Sequence, residues 1–346
     1  MIKDFGSDNH AGICPEAWAM MEKANSGYAD AYGNDDDSFR AADRIRALFD
    51  TDCEVFFVLS GTAANALALA SLCKPYHAIV CADAAHIYTS ECGAPEFFTH
   101  GSRLIPLPAR DGKLTIAGLQ TAAAMPNGVH QSKLAAVSLT QATELGAVYR
   151  PDELRALSGF AHDRSWKVQL DGARFANACA FLNCAPADIS WKVGVDVLCF
   201  GGTKNGMGLS EALVFFDKVA AQEFAYRRKQ AGQLASKMRF FSSAWCGALE
   251  NGAWLKHAAH ANRMALRLRQ RIENLPGVEL LAPTESNGVF VRLPAAVCAV
   301  LRSDGWLFQN FNSGVRIMCS WASTETDIDA FASAITDAIV SARKTV

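Results

Sequence analysis

The chain has 346 residues, half of them hydrophobic and a fifth charged, a balance that suits a compact globular protein and excludes a disordered one. Its 33 lysines and arginines against 35 aspartates and glutamates leave a formal charge of −2, with no basic surplus for nucleic acid and no polybasic block for a membrane surface. The first eight residues lack the apolar core of a signal peptide, and no apolar run reaches the ~18 residues of a membrane helix, so a soluble protein is expected.

Taken in chain order, short apolar runs alternate with helical patterns. Residues 54–59 read as a strand, then Gly61-Thr62, then a helix over 63–72. Residues 78–83 and 134–139 continue as buried strands, and 151–163 as a helix with Pro151 in its first turn. Two further strands follow over 166–171 and 195–200. Strands separated by helices predict a mainly parallel sheet with helices on both faces, whose ligands bind beyond the carboxyl ends of the strands. After residue 250 the pattern changes. A long amphipathic helix over 253–273 (apolar at Leu255, Ala258, Ala259, Met264, Leu266 and Leu268) precedes strands at 278–281, 288–293 and 315–319 and a closing helix over 326–344. The expected architecture is α/β: a large domain over 1–250, with the N-terminal segment, and a small α+β domain over 251–346.

The eleven cysteines lie mostly within apolar segments, and there is no CxxC pair. They read as buried reduced thiols of a cytosol-like compartment, and no metal-ligand set is assigned.

Three strand ends carry residues suited to chemistry. Ser60-Gly61-Thr62-Ala63 follows a strand and opens a helix, which makes either a turn with an N-cap or a cradle for an anion. Asp171-Gly172-Ala173-Arg174 follows another. Its aspartate could cap a helix or pair with a protonated heterocycle, and its arginine could hold a carboxylate. Gly201-Gly202-Thr203-Lys204 ends a third, and a lysine among glycines is either a surface turn or, in a cleft, a Schiff-base nucleophile. An anion cradle, an aspartate and a lysine in this order suggest pyridoxal phosphate.

With these motifs go Ser7-Asp8-Asn9-His10, Tyr32-Gly33-Asn34-Asp35, Ala85-His86, Glu91-Cys92-Gly93-Ala94 and the stretch from Gln233 to Phe240. Over nearly its whole length the sequence resembles the low-specificity threonine aldolases, pyridoxal-phosphate enzymes of fold type I in the aspartate-aminotransferase superfamily. The resemblance implies a mainly parallel sheet of the seven-stranded type plus the small C-terminal domain. It implies that Lys204 holds the cofactor covalently, that His86 stacks on its ring and that Asp171 pairs with the ring nitrogen. Gly61, Thr62 and the backbone of Ala63 would bind the phosphate, with Arg174 and Thr203 also on the cofactor. Ser7, Arg174 and Arg316 would fix the substrate carboxylate. His130, in a loop-like stretch, matches a histidine facing the β-hydroxyl, and Lys229 a lysine reaching the phosphate of a neighbouring subunit; read as residues, both also suit a solvated surface. Two segments depart from the family pattern. The strand end Thr140-Gln141-Ala142-Thr143-Glu144 stands where Glu-Asn-Thr-His is more common, and the tyrosine after His86 is Tyr88 rather than four residues on.

The reaction so implied is cleavage of L-threonine or L-allo-threonine to glycine and acetaldehyde with low threo/erythro specificity. The enzyme would be a cytoplasmic homo-oligomer, expected to be a tetramer with active sites shared between subunits. The alternatives are an aldolase preferring another β-hydroxy-α-amino acid such as phenylserine, an aminotransferase, and a catalytically silent cofactor-binding regulator. A nicotinamide enzyme is disfavoured, because no GxGxxG follows the first strands.

Overall fold

A computed structural model describes residues 3–126 and 128–344. The apolar runs form a seven-stranded sheet of β1 (Glu54–Val58), β2 (His77–Ala82), β3 (Arg103–Leu107), β4 (Lys133–Thr140), β5 (Lys167–Gly172), β6 (Val197–Gly201) and β7 (Glu211–Phe215). The spatial order is β1-β7-β6-β5-β4-β2-β3. Strands β2 to β6 pair in parallel, and β7 runs against both β6 and β1. The fold is therefore the mostly parallel α/β sheet expected. Strands β3 and β7 are additions to the sequence reading. Pro106 interrupts the apolar signal of β3, and the strand tolerates it because it lies at the sheet edge.

Strand β6 shows why the sheet is covered on both faces. Val197 and Cys199 pack with Ala64, Leu67 and Ala68 of the helix Gly61–Leu72. Leu198 and Phe200 point the other way into the larger core. There Phe200 meets the rings of Phe49, Phe175, Trp245 and Trp254. Side chains alternate with period two, so a strand apolar on both faces reads as a continuous hydrophobic run. Truncating Phe200 to alanine would cost about 3–5 kcal/mol. Nine of the eleven cysteines, all free, are buried in these cores.

The second sheet contains β8 (Glu279–Leu280), β9 (Gly288–Arg292), β10 (Gln309–Phe311) and β11 (Gly314–Met318), antiparallel in the order β10-β11-β9-β8. The helix Ala253–Ile272 buries Ala258, Ala261, Ala265, Leu268 and Ile272, spaced three and four apart as a helix face requires. Leu266, expected on that face, is instead 40% exposed. The N-terminal residues reach this second sheet. Phe5 belongs to the core of the small sheet, stacks on Phe331 at 4.9 Å between ring centroids, and donates its N–H to Leu307 O. The start of the chain is thus bound to its end. No described helix is long and apolar enough to cross a membrane.

What positions the site is the registration of strand ends. Thr140 pairs with Asp171, and Asp171 with Cys199, so β4, β5 and β6 finish level with one another. Past β6 the chain turns at Gly201 and Gly202. A Cβ on Gly201 would lie 2.6 Å from Ala173 O, and one on Gly202 2.4 Å from Ser210 O, so only glycine permits this approach. Lys204 follows directly in the short helical turn Thr203–Asn205.

Candidate active site

At the end of β5, Asp171 is 5% exposed, and it forms no ion pair among the described residues. Its Oδ1 accepts the N–H of Ala173 at 2.9 Å and its Oδ2 accepts Asn65 Nδ2 at 2.7 Å. The same Asn65 nitrogen donates to Glu91 Oε1 at 2.9 Å, and Asn65 Oδ1 accepts from Gln169 Nε2 at 2.9 Å. Asn65 thus ties two buried carboxylates together. Glu91 Oε1 also meets His86 Nδ1 at 2.8 Å, and this hydrogen bond raises the pKa of the imidazole. His86 opens the one-turn helix His86–Thr89, just beyond β2. The histidine ring is therefore oriented from its edge, which leaves its face available for stacking.

The helix Gly61–Leu72 begins at the end of β1 with Ser60 as N-cap. Ser60 Oγ accepts the N–H of Ala63 at 3.2 Å. That corrects one expectation. The Ala63 N–H is engaged by the cap, and the helix offers an anion the first-turn N–H groups of Gly61 and Thr62, with the dipole behind them. Lys204 has no carboxylate within ion-pair distance among the described residues, although its charge is felt at Asp8, His86 and Glu211. Thr203 Oγ1 accepts the N–H of Ser210 at 3.3 Å, and Glu211 Oε2 accepts that of Gly202 at 2.7 Å. These bonds set the turn that carries Lys204.

Two arginines converge near Asp8. Arg174 donates Nε to Asp8 Oδ2 at 2.8 Å and Nη2 to Asp8 Oδ1 at 2.9 Å, so one guanidinium edge is occupied and the other stays open. Burial pushes the Asp8 carboxyl up, but the charge and hydrogen bonds of Arg174 more than offset it and hold it below its usual value. Asn287 Nδ2 adds a third donor to Asp8 at 3.0 Å. Arg316 reaches in from β11, with Nη2 near Gly6 O at 3.4 Å and bonded to Gln309. Its Nε is buried without a partner among the described residues, and burial and the neighbouring Arg174 charge both lower its pKa. Two guanidiniums against one aspartate leave a net positive charge, the requirement for binding a carboxylate. Ser7 caps the turn Asp8–His10, its Oγ accepting the N–H of Asn9 at 3.2 Å.

Two expected residues lie elsewhere. His130 precedes β4, and it lines a concavity of about 560 Å³ with Arg103, Lys133 and Arg164. That is the amino end of the sheet. The eight residues of β4 separate it from the Asp171 level by some 25 Å at ~3.3 Å per residue, so it cannot face this chain's own cluster. Lys229 is exposed on the helix Phe224–Gln230, its Nζ 4.3 Å from the centroid of the Tyr32 ring.

One further group was assigned no role from sequence. Glu144, four residues beyond β4, accepts the His86 N–H and the Thr140 hydroxyl on Oε1, each at 2.9 Å. Burial pushes its carboxyl up to about 7, with the Asp171 charge adding to the effect. The only sequence signal was the departure of its segment from the family pattern.

The residues fit pyridoxal phosphate. Asp171 is a buried, unpaired carboxylate with acceptor capacity left for a protonated ring nitrogen, the helix start suits a phosphate, and Lys204 supplies an uncommitted amine.

A family model described as beta-eliminating lyase matches residues 4–296. The low specificity L-threonine aldolase of Pseudomonas sp. (strain NCIMB 10558) is 54% identical over 335 residues, covering 96% of this chain and 97% of that protein. The low specificity L-threonine aldolase of Escherichia coli (strain K12) is 26% identical over 278 residues, covering 79% of each. A solved structure of the threonine aldolase of Leishmania major has a TM-score of 0.92 at 26% identity, covering 98% of this chain and 100% of that one. The chain belongs to the beta-eliminating lyase family and, within it, to the low-specificity threonine aldolases.

Proposed function

We propose that the chain cleaves the Cα–Cβ bond of L-threonine and L-allo-threonine, releasing glycine and acetaldehyde. The observation that carries this reading is the convergence of Lys204, Asp171, His86 and the Arg174–Arg316 pair at one end of the sheet, in a chain 54% identical to a low specificity L-threonine aldolase. When bound, pyridoxal phosphate supplies an electron sink in conjugation with the substrate's amino group. The chain's own residues do the rest. Lys204 holds the cofactor through Nζ. Gly61 and Thr62 take the phosphate, with Thr203 setting the turn beside it. Asp171 keeps the ring nitrogen protonated by opposite charge. His86, fixed by Glu91, would stack on the ring. Arg316, the open edge of Arg174 and Ser7 hold the substrate carboxylate. That clamp would fix the orientation of the Cα–Cβ bond for cleavage.

We further propose that the cleft is shared by a large unit over 1–250 and a small one over 251–346, which supplies Arg316. The enzyme is read as a cytoplasmic homotetramer with sites at subunit interfaces. Its free cysteines support the compartment. The exposed side chains of Tyr28, Phe97, Leu209 and Tyr226 support association, and Lys229 lies at the surface where it could reach a neighbour's phosphate.

The experiment is incubation of purified protein and cofactor with L-threonine, L-allo-threonine and phenylserine, each with and without a 2-keto acid. Aldehyde and glycine without the keto acid support the reading. Faster turnover of phenylserine would change the preferred substrate and keep the reaction. Turnover only with the keto acid would make the protein an aminotransferase, and cofactor binding with no turnover would make it a silent regulator.

A further inference from the structure

We infer that Glu144 is the base that takes the proton from the substrate's β-hydroxyl, an assignment that rests on the aldolase reading above. Four observations lead to it. First, its place: Thr140 stands in register with Asp171, and Glu144 bonds back to Thr140, so its carboxylate lies over the strand ends that carry the site. Second, its orientation: two donors, His86 N–H and Thr140 Oγ1, pin Oε1, whereas Oε2 is buried and has no partner among the described residues. A buried carboxylate oxygen without a donor is costly unless a proton or a ligand hydroxyl reaches it. Third, its surroundings: burial and the Asp171 charge from β5 favour its protonated form, and its own charge is felt at Arg174 after β5, Cys81 of β2 and Tyr149. A carboxyl so placed can take and release a proton near neutral pH, which a general base must do. Fourth, the alternatives are placed for other work. His86, bonded to Glu91 through Nδ1, is the ring-stacking residue of the proposed site, and this chain's own His130 is at the far end of β4.

The step balances without an added reactant. Glu144 Oε2 forms a bond to the hydroxyl proton, and the electron pair of that O–H bond becomes the second C–O bond of acetaldehyde. The Cα–Cβ bond breaks and its pair stays with Cα, where the cofactor, joined to the substrate's amino group rather than to Lys204, would accept it. Cα then gains one proton to give glycine, equal to the one Glu144 took, so the reaction neither consumes nor releases acid.

The test compares the wild-type holoenzyme with Glu144→Gln and Glu144→Asp. Glutamine keeps an oxygen for His86 and Thr140 but cannot accept the proton. Three quantities are read: threonine cleavage against pH, exchange of the glycine α-proton in deuterated water by NMR, and the pH at which a carboxylic-acid band disappears from the infrared spectrum of the cofactor-free protein. Glycine has no β-hydroxyl, so its exchange does not need this base. The expected result for Glu144→Gln is a loss of about 10²- to 10⁴-fold in kcat on threonine. Glycine exchange should persist, the rising limb of kcat/KM near neutral pH should vanish, and so should the infrared band that titrates there. Glu144→Asp should restore part of the cleavage and its pH limb. Wild-type cleavage and pH limb in Glu144→Gln would overturn the assignment, as would equal losses of cleavage and glycine exchange. If the wild type releases no aldehyde at all, the aldolase reading fails and the assignment fails with it.

Discussion

The Arg174 guanidinium and the Asp8 carboxylate meet edge to edge, through hydrogen bonds of 2.8 and 2.9 Å, with the aspartate side chain 1% exposed. This pair joins the first residues of the chain, already bound to the small sheet through Phe5, to the end of β5. It also occupies the Nε and Nη2 edge of the arginine with the aspartate.

Asp8→Asn should leave Arg174 as an uncompensated buried charge and destabilise the protein by about 3–5 kcal/mol in denaturant unfolding. The pH dependence has a definite sign. The folded carboxyl is held below 3.8, so its contribution is present above that value and is lost as pH falls through the folded pKa. The gap between wild type and Asp8→Asn should therefore narrow in acid.

Arg316 tests the proposed substrate clamp, because its Nε is buried without a partner among the described residues and its pKa is lowered by burial and by Arg174. Replacing it by alanine should raise KM for threonine about 10- to 100-fold, the worth of a hydrogen bond to a charged group. Threonine amide, which lacks the carboxylate, should be affected far less. Steady-state kinetics on both substrates checks this.

Asn65 donates one nitrogen to Asp171 and Glu91 together. Asn65→Leu removes the donor from two buried carboxylates, and each loss costs about 1–3 kcal/mol. Weaker cofactor retention is the expected outcome, measured as faster loss of cofactor absorbance on dialysis, because Asp171 is no longer aimed.

Glu144 makes a prediction for the cofactor-free protein. Its carboxyl moves from 4.5 to about 7 on folding. A raised carboxyl gives stability that is complete below the unfolded pKa and is lost as pH rises through the folded one. Glutamine does not titrate. Relative to wild type, Glu144→Gln should therefore gain stability between pH 4.5 and 7 and level off above, by roughly 3 kcal/mol in all. Urea unfolding across that range reads the difference directly.

The parts legible in sequence were those tied to a buried strand. β1, β2, β4 and β6 read as largely apolar runs and β5 as an alternation of Val168 and Leu170 with polar residues, and the residues that end them, Ser60, Asp171 and the Gly201–Lys204 turn, were identified from that position. β7 was not anticipated, because it follows the Gly206–Gly208 turn directly, with no helical pattern to set it off as a strand of its own. His130 was misplaced because a loop histidine carries no mark of which strand end it is near. Ala63 was assigned to the phosphate because a motif does not show that Ser60 already accepts its N–H. Glu144 was visible only as a departure from the family pattern. Its chemistry comes from burial and from the His86 and Thr140 donors, which exist only once β2 and β4 lie side by side.

The most direct test of the account is the stoichiometry of the reaction itself. Wild-type protein loaded with pyridoxal phosphate and given L-threonine, with no keto acid present, should release acetaldehyde and glycine in equal amounts by NMR, and Lys204→Ala should release neither. Unchanged threonine with the wild type, or aldehyde from the Lys204→Ala protein at the wild-type rate, would contradict it.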